Sequence, residues 1–304
     1  MPKRDLLDLA ALTPDEIEWL MRRAAAYKVG LRYPALDGRA VGLLFEKPST
    51  RTRVSFEVAI HRLAGHPVIL PIDAMQIGRG ESVADTARVL SGYLSALVIR
   101  TFGQERLEEW ARYATVPVIN GLTDLHHPCQ ILADLFTIRE RFESLSGRTL
   151  AYIGDGNNIA HSLMEGGALM GMRVIVASPV GLMPDPKITA RAMQIAKAHG
   201  GEVLVHNDPN QAATGADVLY TDVWVSMGQT DSPTRIETLQ PYRINAALMA
   251  RASPCALVMH CLPAHRGEEI TADVMECSQS VIFEQAANRL PVQQAILERW
   301  VAGV

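Results

Sequence analysis

The sequence predicts an α/β protein of two Rossmann-like domains, each a parallel sheet flanked by helices. Short apolar runs alternate with amphipathic helical patterns along most of the 304 residues, which is typical of parallel strands covered on both faces. A chain of this length suits about two domains. The polar stretch 143–148, which contains Gly147, divides the series, so we expect domains over 1–145 and 146–284.

The first half opens with a well-marked helix. Thr13 can cap it, Pro14 suits its first position, Glu16 completes a capping box, and Gly30 ends it. The remaining elements of this half are strands at 41–45, 68–70, 96–99 and 116–119, and helices at 54–64, from 82 onward, at 105–114 and at 131–138.

The second half repeats the alternation of strand and helix. Its strands are predicted at 149–153, 173–177, 202–205, 217–220 and 256–260, and its helices at 159–170, 186–199, after 232 and at 284–301. The glycine pair that follows residue 199 ends one of these helices. Two similar α/β halves therefore account for the whole architecture.

Composition narrows the classes of protein. Hydrophobic residues make up 48% and charged residues 20%, which is an ordinary globular balance. A net charge of −4 argues against a general nucleic-acid binder, and no apolar run reaches the roughly 18–20 residues of a membrane helix. The four cysteines form no CxxC pair, so we expect free thiols and a cytoplasmic protein.

The segment Ser49-Thr50-Arg51-Thr52-Arg53 is the strongest functional signal. It lies where the predicted strand 41–45 passes to the helix 54–64, so the N–H groups and the dipole of the helix start favour an anion. Three hydroxyls and two guanidinium groups add donors and positive charge. A phosphate or similar oxyanion is the expected ligand, although a solvated basic helix start with a Ser/Thr cap has the same pattern.

Polar groups follow four further predicted strands. They are Arg100, the loop before His127, the segment 222–228, and His260-Cys261-Leu262. In open α/β sheets, ligands bind beyond the carboxyl ends of the strands. The five strand ends together predict one cleft between two domains.

These motifs together resemble the aspartate/ornithine carbamoyltransferase family, and within it the ornithine carbamoyltransferases. The matching elements are Ser49-Thr50-Arg51-Thr52-Arg53, His127-Pro128-Cys129-Gln130, Asp222-Val223-Trp224-Val225-Ser226-Met227-Gly228 and His260-Cys261-Leu262-Pro263, in the order of the family. The resemblance implies one domain for carbamoyl phosphate and one for ornithine. It also implies a last helix, 285–304, that crosses back to the first domain, and active sites that form in a homotrimer.

The resemblance further implies the residues of both sites. Carbamoyl phosphate would be bound by Ser49, Thr50, Arg51, Thr52, Gln76, Arg100, His127, Gln130, Cys261, Leu262 and Arg289. Ornithine would be bound by Asn158, Asp222, Ser226 and Met227. Cys261, Arg100 and His127 would be catalytic, and neither a metal nor a cofactor is expected.

Carbamoyl transfer explains these residue types. The phosphate leaving group must be neutralised, which suits Arg51, and the charge that develops on the carbonyl oxygen needs preorganised donors such as Thr52, Arg100 and His127. The attacking amine must be neutral, yet a free alkyl amine is largely protonated at neutral pH. We expect Cys261, with Asp222 close by, to accept or guide that proton.

Each residue also has a simpler explanation. These explanations are helix capping for His127, Asn157 and Asn158, a turn for Asp222, a small buried hydrophobe for Cys261, core packing for Trp224 and Met227, and a solvated helix charge for Arg289.

Two rival chemistries are weaker. The segment 154–158 after a strand is similar to a dinucleotide fingerprint, but Ile159 stands where the third glycine is required. The His/Cys groups at 126–129 and 260–265 lack the four-ligand spacing of a zinc site.

The acceptor is predicted from the second half. Aspartate-using relatives tend to carry His-Pro-Leu-Pro where this chain has 260–263, and a lysine in the loop 76–79, so aspartate is disfavoured. Segment 226–228 is typical of ornithine users. Asp222 and Asn158 would pair with the α-amino and α-carboxylate groups, which putrescine lacks.

Three alternatives stay open. They are putrescine or N-acetylornithine as acceptor, a catabolic direction in place of arginine biosynthesis, and a non-catalytic metabolite-binding regulator on the same scaffold.

Overall fold

Two parallel sheets carry the fold in the computed structural model, which describes residues 3–225 and 233–303. Residues 1–132 with 288–304 form the first compact unit, and residues 133–287 form the second. The predicted fold class is confirmed, and so is the return of the last helix to the first unit. The predicted boundary at 145 lies beyond the helix Pro128–Phe142, whereas the two units divide inside that helix.

The first unit contains a four-stranded sheet in the order β2-β1-β3-β4. Its strands are β1 (Ala40–Phe45), β2 (His66–Pro71), β3 (Ala96–Arg100) and β4 (Val118–Leu122). Its helices are α1 (Pro14–Lys28), α2 (Thr50–Arg62), α3 (Val83–Ser91), α4 (Gln104–Tyr113) and the start of α5 (Pro128–Phe142). All paired strands are parallel.

The predicted capping box of α1 is present. The Thr13 hydroxyl accepts from the Glu16 N–H at 3.3 Å, and the Thr13 N–H donates to Glu16 Oε2 at 2.9 Å. The apolar stripe of α1 is buried. The segment between β2 and α3 contains two short 3₁₀ turns, Ile72–Ala74 and Gln76–Arg79.

The second unit contains a five-stranded sheet in the order β7-β6-β5-β8-β9. Its strands are β5 (Thr149–Ile153), β6 (Arg173–Ala177), β7 (Glu202–His206), β8 (Val218–Thr221) and β9 (Leu257–His260). Its helices are α6 (Asn158–Leu169), α7 (Pro186–His199), α8 (Pro209–Ala213), α9 (Pro233–Leu239), α10 (Ala246–Met249), α11 (Ala272–Met275) and the start of α12 (Ile282–Leu297). No helix among the described residues is long and apolar enough to cross a membrane.

Each sheet has a point where two neighbouring strands connect to opposite sides of the sheet: β1 to β2 and β3 to β4 in the first, β5 to β6 and β8 to β9 in the second. In the first unit β1 lies between β2 and β3, and in the second unit β5 lies between β6 and β8. Loops at such points diverge and leave a crevice at the carboxyl ends of the strands. The polar segments predicted from the sequence follow β1, β3 and β4 in the first unit, and β8 and β9 in the second.

Candidate active site

Strand register places the loop that precedes α2. Phe45 at the end of β1 pairs with Arg100 at the end of β3, and the Glu46 N–H donates to the Arg100 carbonyl oxygen at 2.9 Å. The Glu46 carboxylate accepts from Arg106 Nε at 2.8 Å and from the Thr101 hydroxyl. These bonds fix the path of the chain into the helix start.

The N terminus of α2 is available to an anion. Ser49 occupies the N-cap position, yet its side chain makes no capping hydrogen bond, so the Ser/Thr cap suggested by the pattern is wrong for Ser49. Arg51 is exposed and forms no ion pair among the described residues. By contrast, Arg53 Nε donates to Glu57 Oε1 at 2.9 Å. Arg51 is therefore the cation of this segment that remains for a ligand.

Three buried side chains meet behind this helix start. Arg289 Nη2 donates to Thr52 Oγ1 at 3.1 Å, and Arg289 Nη1 donates to Gln130 Oε1. Only 6% of Arg289 is exposed, so its interpretation as a solvated helix charge is wrong. Because Thr52 Oγ1 accepts from Arg289, the Thr52 hydroxyl proton remains to be donated to a ligand.

His127 is buried and neutral. It precedes α5 directly, and its carbonyl oxygen accepts from the Gln130 N–H at 3.1 Å. Burial, together with the positive charges of Arg289 and Arg100, holds the pKa of His127 well below its usual value. A neutral imidazole has one donor and one acceptor nitrogen, so His127 can donate a hydrogen bond without adding a third positive charge.

Sequence reasoning missed the residues that hold the His127 loop. The His126 N–H donates to Thr123 Oγ1 at 3.1 Å, and the Thr123 hydroxyl donates to Gln104 Oε1 at 2.7 Å. These buried bonds join the loop after β4 to the start of α4. The separation of these residues in the sequence matches no motif. They come together because β3 and β4 are neighbours in the sheet.

The Gln76 side chain is not hydrogen-bonded to Thr52, Gln130 or Arg289. Its side chain is exposed and makes no hydrogen bond with another described residue. Its carbonyl oxygen accepts from the Glu81 N–H at 3.2 Å. Its role at carbamoyl phosphate stays a prediction.

Register also assembles the polar residues of the second unit. Tyr152 of β5 pairs with Tyr220 of β8, and Thr221 of β8 pairs with His260 of β9. The three strands therefore end side by side, and the residues that follow them meet.

Asp222 is the centre of this second group. Its Oδ2 accepts from Asn157 Nδ2 at 2.8 Å, and its Oδ1 accepts from the Val223 N–H at 2.8 Å and from Cys261 Sγ at 2.9 Å. Asp222 is buried and Cys261 is half-buried. Cys261 is thus tied to a carboxylate and is more than a small buried hydrophobe.

The two neighbouring asparagines have different roles. The Asn157 side chain accepts from the Ile159 N–H at 2.9 Å and caps α6, as predicted for one of the pair. Asn158 is the first residue of the helix and is half-buried. Ser226 and Met227 lie outside the described residues.

A buried histidine holds the turn that carries Cys261. His260 Nδ1 accepts from the Leu262 N–H at 2.9 Å, so the ring proton lies on Nε2, which donates to Glu269 Oε1 at 3.0 Å. The His260 N–H donates to Gln285 Oε1 at 2.9 Å. No spacing rule in the sequence indicates Glu269 or Gln285 as partners.

The same geometry argues against a metal at this turn. Ligand atoms of Asp222, His260 and Cys261 lie within 4.8 Å of one another. However, both ring nitrogens of His260 are already engaged. The group is therefore a hydrogen-bonded cluster.

A partly buried ion pair lies beside Asp222. Arg235 is paired with Asp155, and Arg235 Nε donates to the Trp224 carbonyl oxygen at 2.7 Å. Burial, reinforced by the charge of Asp222 and opposed by Arg235, raises the pKa of Asp155 to about 6. Trp224 is fully buried, which confirms its interpretation as a core residue.

Known proteins match both units. Residues 4–140 match the family model described as "Aspartate/ornithine carbamoyltransferase, carbamoyl-P binding domain" and residues 146–300 match "Aspartate/ornithine carbamoyltransferase, Asp/Orn binding domain". An ornithine carbamoyltransferase of a Nostoc species is 54% identical over 295 residues, 97% of this chain and 96% of that protein.

Solved structures match over the same length. An ornithine carbamoyltransferase from Pyrococcus furiosus has a TM-score of 0.96 and 46% identity, covering 100% of this chain and 98% of that one. An acetylornithine transcarbamylase complexed with acetylcitrulline has a TM-score of 0.89 and 29% identity, covering 98% and 99%.

Proposed function

The chain belongs to the aspartate/ornithine carbamoyltransferase family, and on this premise we propose that it transfers the carbamoyl group of carbamoyl phosphate to the side-chain amine of L-ornithine. The amine nitrogen forms a bond to the carbonyl carbon, and the bond from that carbon to the phosphate oxygen breaks. Phosphate leaves with the electron pair and the nitrogen gives up a proton, so the products are citrulline and phosphate.

The first unit is suited to carbamoyl phosphate. The uncapped start of α2 and the exposed Arg51 provide N–H groups and a positive charge for the phosphate, beside Ser49 and Thr50. The carbonyl oxygen can accept from the Thr52 hydroxyl, whose oxygen already accepts from Arg289. Arg100 and the neutral His127 provide further donors for it. Gln130 and Arg289 hold Thr52 in place through buried hydrogen bonds.

The second unit is suited to an amine. Asp222 accepts three hydrogen bonds and so stays fixed in position, which favours an ammonium partner. Asn157 supplies the helix cap, and Asn158, the next residue, is assigned to the α-carboxylate of the substrate. Cys261 donates its thiol proton to Asp222 Oδ1, so the proton that the reacting amine loses can pass to Cys261 Sγ while the thiol proton moves to Asp222.

The single observation that carries the proposal is the hydrogen bond from Cys261 Sγ to Asp222 Oδ1 at 2.9 Å. A regulator that only binds a metabolite needs an anion site and has no use for a thiol held on a carboxylate. A transferase needs both, because its amine must lose a proton.

The test is a panel of acceptors with carbamoyl phosphate and the purified protein. Ornithine, N-acetylornithine, putrescine and aspartate are offered separately, and released phosphate and the ureido product are both measured. We expect turnover with ornithine, and weak turnover with putrescine because the partners of the α-amino and α-carboxylate groups would stay unpaired. Turnover with N-acetylornithine alone would make N-acetylornithine the acceptor in place of ornithine. Carbamoyl phosphate binding without turnover would favour a non-catalytic regulator.

We also propose a cytoplasmic homotrimer that serves arginine biosynthesis. The free cysteines suit a reducing compartment, and the family membership supports the trimer and the pathway. Sedimentation equilibrium should give three chains of 33.3 kDa per particle, and a monomer or dimer would contradict the assembly.

A further inference from the structure

We propose that the first unit carries a second anion site, which takes a small organic polyanion that also bears a hydrogen-bond donor such as a hydroxyl group. The site is a cavity of about 570 Å³ lined by Tyr27, Lys28, Arg32, His61, Arg62 and Gln294, among others. All of these residues belong to the same unit.

The cavity is separate from the candidate active site. His61 and Arg62 are the last residues of α2, whereas Ser49 and Arg51 lie at its start. A helix of 13 residues is about 20 Å long. An anion at one end of α2 therefore does not touch the other end.

The lining is strongly basic. Lys28, Arg32 and Arg62 are positively charged, His61 adds a fourth basic group, and the lining contains no aspartate or glutamate. Among residues 3–225 and 233–303, neither Arg32, His61 nor Arg62 has an ion-pair or side-chain hydrogen-bond partner. Two uncompensated guanidinium groups, Arg32 and Arg62, at one cavity favour a ligand with more than one negative charge.

The acidic group that packs against Tyr27 is already neutralised. Glu298 Oε2 accepts from Arg23 Nε at 2.6 Å and from the Tyr27 hydroxyl at 2.6 Å. The Tyr27 hydroxyl is therefore already engaged by Glu298. The positive charge of the lining is not cancelled by Glu298.

Helix ends explain only part of the basic character. Lys28, His61 and Arg62 lie in the last turns of α1 and α2, where a cation stabilises the helix dipole. Arg32 lies in neither helix, so this stabilisation does not account for it.

Gln294 is the second, independent indication of a ligand. It lines the cavity, only 3% of it is exposed, and its Oε1 is buried without a hydrogen-bond partner among the described residues. A buried acceptor without a donor carries a desolvation penalty. A donor on the ligand would remove that penalty, which is why the proposed ligand carries a hydroxyl group as well as its charges.

The test compares two probes that differ only by one hydroxyl group, citrate and tricarballylate. Their binding to the whole protein is measured by calorimetry at low ionic strength. We expect citrate to bind about fivefold more tightly, the effect of one hydrogen bond. Arg32→Gln with Arg62→Gln should lower both affinities by about tenfold or more, with turnover in the absence of citrate unchanged.

Gln294→Met isolates the donor contact, because Met has a similar volume and no carbonyl oxygen. We expect the preference for citrate over tricarballylate to vanish, with the thermal unfolding midpoint unchanged or raised. A preference that persists in this variant would overturn the role of Gln294.

Arg51→Gln is the control for the candidate active site, and citrate binding should survive it. Loss of citrate binding in Arg51→Gln but not in the double variant would place the anion at the active site and overturn the proposal. Absence of citrate binding at millimolar concentration would overturn it as well. Because binding is measured without turnover, these outcomes are independent of the acceptor panel.

Discussion

In the first unit the strand ends carry guanidinium groups around a neutral imidazole, whereas in the second they carry a carboxylate that accepts three hydrogen bonds. Arg100, Arg289 and His127 are buried together and the positive charges keep the imidazole unprotonated. Asp222 instead accepts hydrogen bonds from Asn157, Val223 and Cys261. We propose that the first region receives the negative charge of carbamoyl phosphate, and that the second holds the ammonium group of ornithine and takes the proton of its reacting amine.

The largest expected effect comes from removing the exposed cation of the first region. Arg51→Ala should lower kcat/KM for carbamoyl phosphate by about a hundredfold, because a charge-assisted contact to the phosphate is lost. Steady-state kinetics at saturating ornithine measures it. Arg53→Ala is the matched control, since Arg53 is paired with Glu57 on the surface. Equal losses in both variants would show that only general positive charge matters.

A smaller effect is expected at the centre of the second region. Asp222→Asn should weaken ornithine binding by about twentyfold, since a hydrogen-bonded charge is removed from the ammonium site. The affinity for carbamoyl phosphate should change little. Calorimetric titration with each substrate separately measures the two affinities. Comparable weakening of both would remove the division of substrates between the two regions.

Features that depend on residues close together in the sequence were predictable from it. The Thr13 capping box, the alternation of strand and helix, and the phosphate-type segment after β1 all depend on near neighbours in the chain. The family resemblance added residues that no local rule finds, such as Arg289. The structure then gives Arg289 its physical setting, between Thr52 and Gln130.

Residues joined by the sheets were not predictable in this way. Thr123 holds the His127 loop through Gln104, and Glu269 holds the Cys261 turn through His260. Gln104 opens α4 and Thr123 follows β4, so the order of the strands brings this pair together. Glu269 instead returns to His260 through the loop that follows β9. The choice of Asn157 over Asn158 as the cap likewise depends on backbone geometry at the start of α6.

Cys261→Ser tests the proton-handling half of the comparison. Serine keeps a donor on Asp222, but its hydroxyl gives up a proton far less readily than a thiol, so we expect kcat to fall by about tenfold with thermal stability nearly unchanged. The pH profile of kcat should shift as well, which a purely structural role would not produce. The control is Cys255→Ser, because Cys255 is exposed. Wild-type turnover in Cys261→Ser would end the proton-handling role.

The smallest effect is a pair of opposite pH dependences of stability. The pKa of His127 is lowered from 6.5, so below that pH the unfolded chain binds a proton that the folded chain does not, and stability falls with falling pH. The pKa of Asp155 is raised from 3.8 to about 6. Between these values the folded chain binds the extra proton, so stability rises as pH falls. Each group contributes at most about 1.4 kcal/mol per pH unit.

Two variants separate these opposing contributions. Compared with the wild type, Asp155→Asn should lose stability as the pH falls from 6 towards 3.8, because the favourable protonation is removed. His127→Gln should show the reverse difference below pH 6.5, because the group that resists protonation is gone. Urea unfolding midpoints across this range measure both differences. If the two variants deviated from the wild type in the same direction, the charge environments of the two regions would not be opposite.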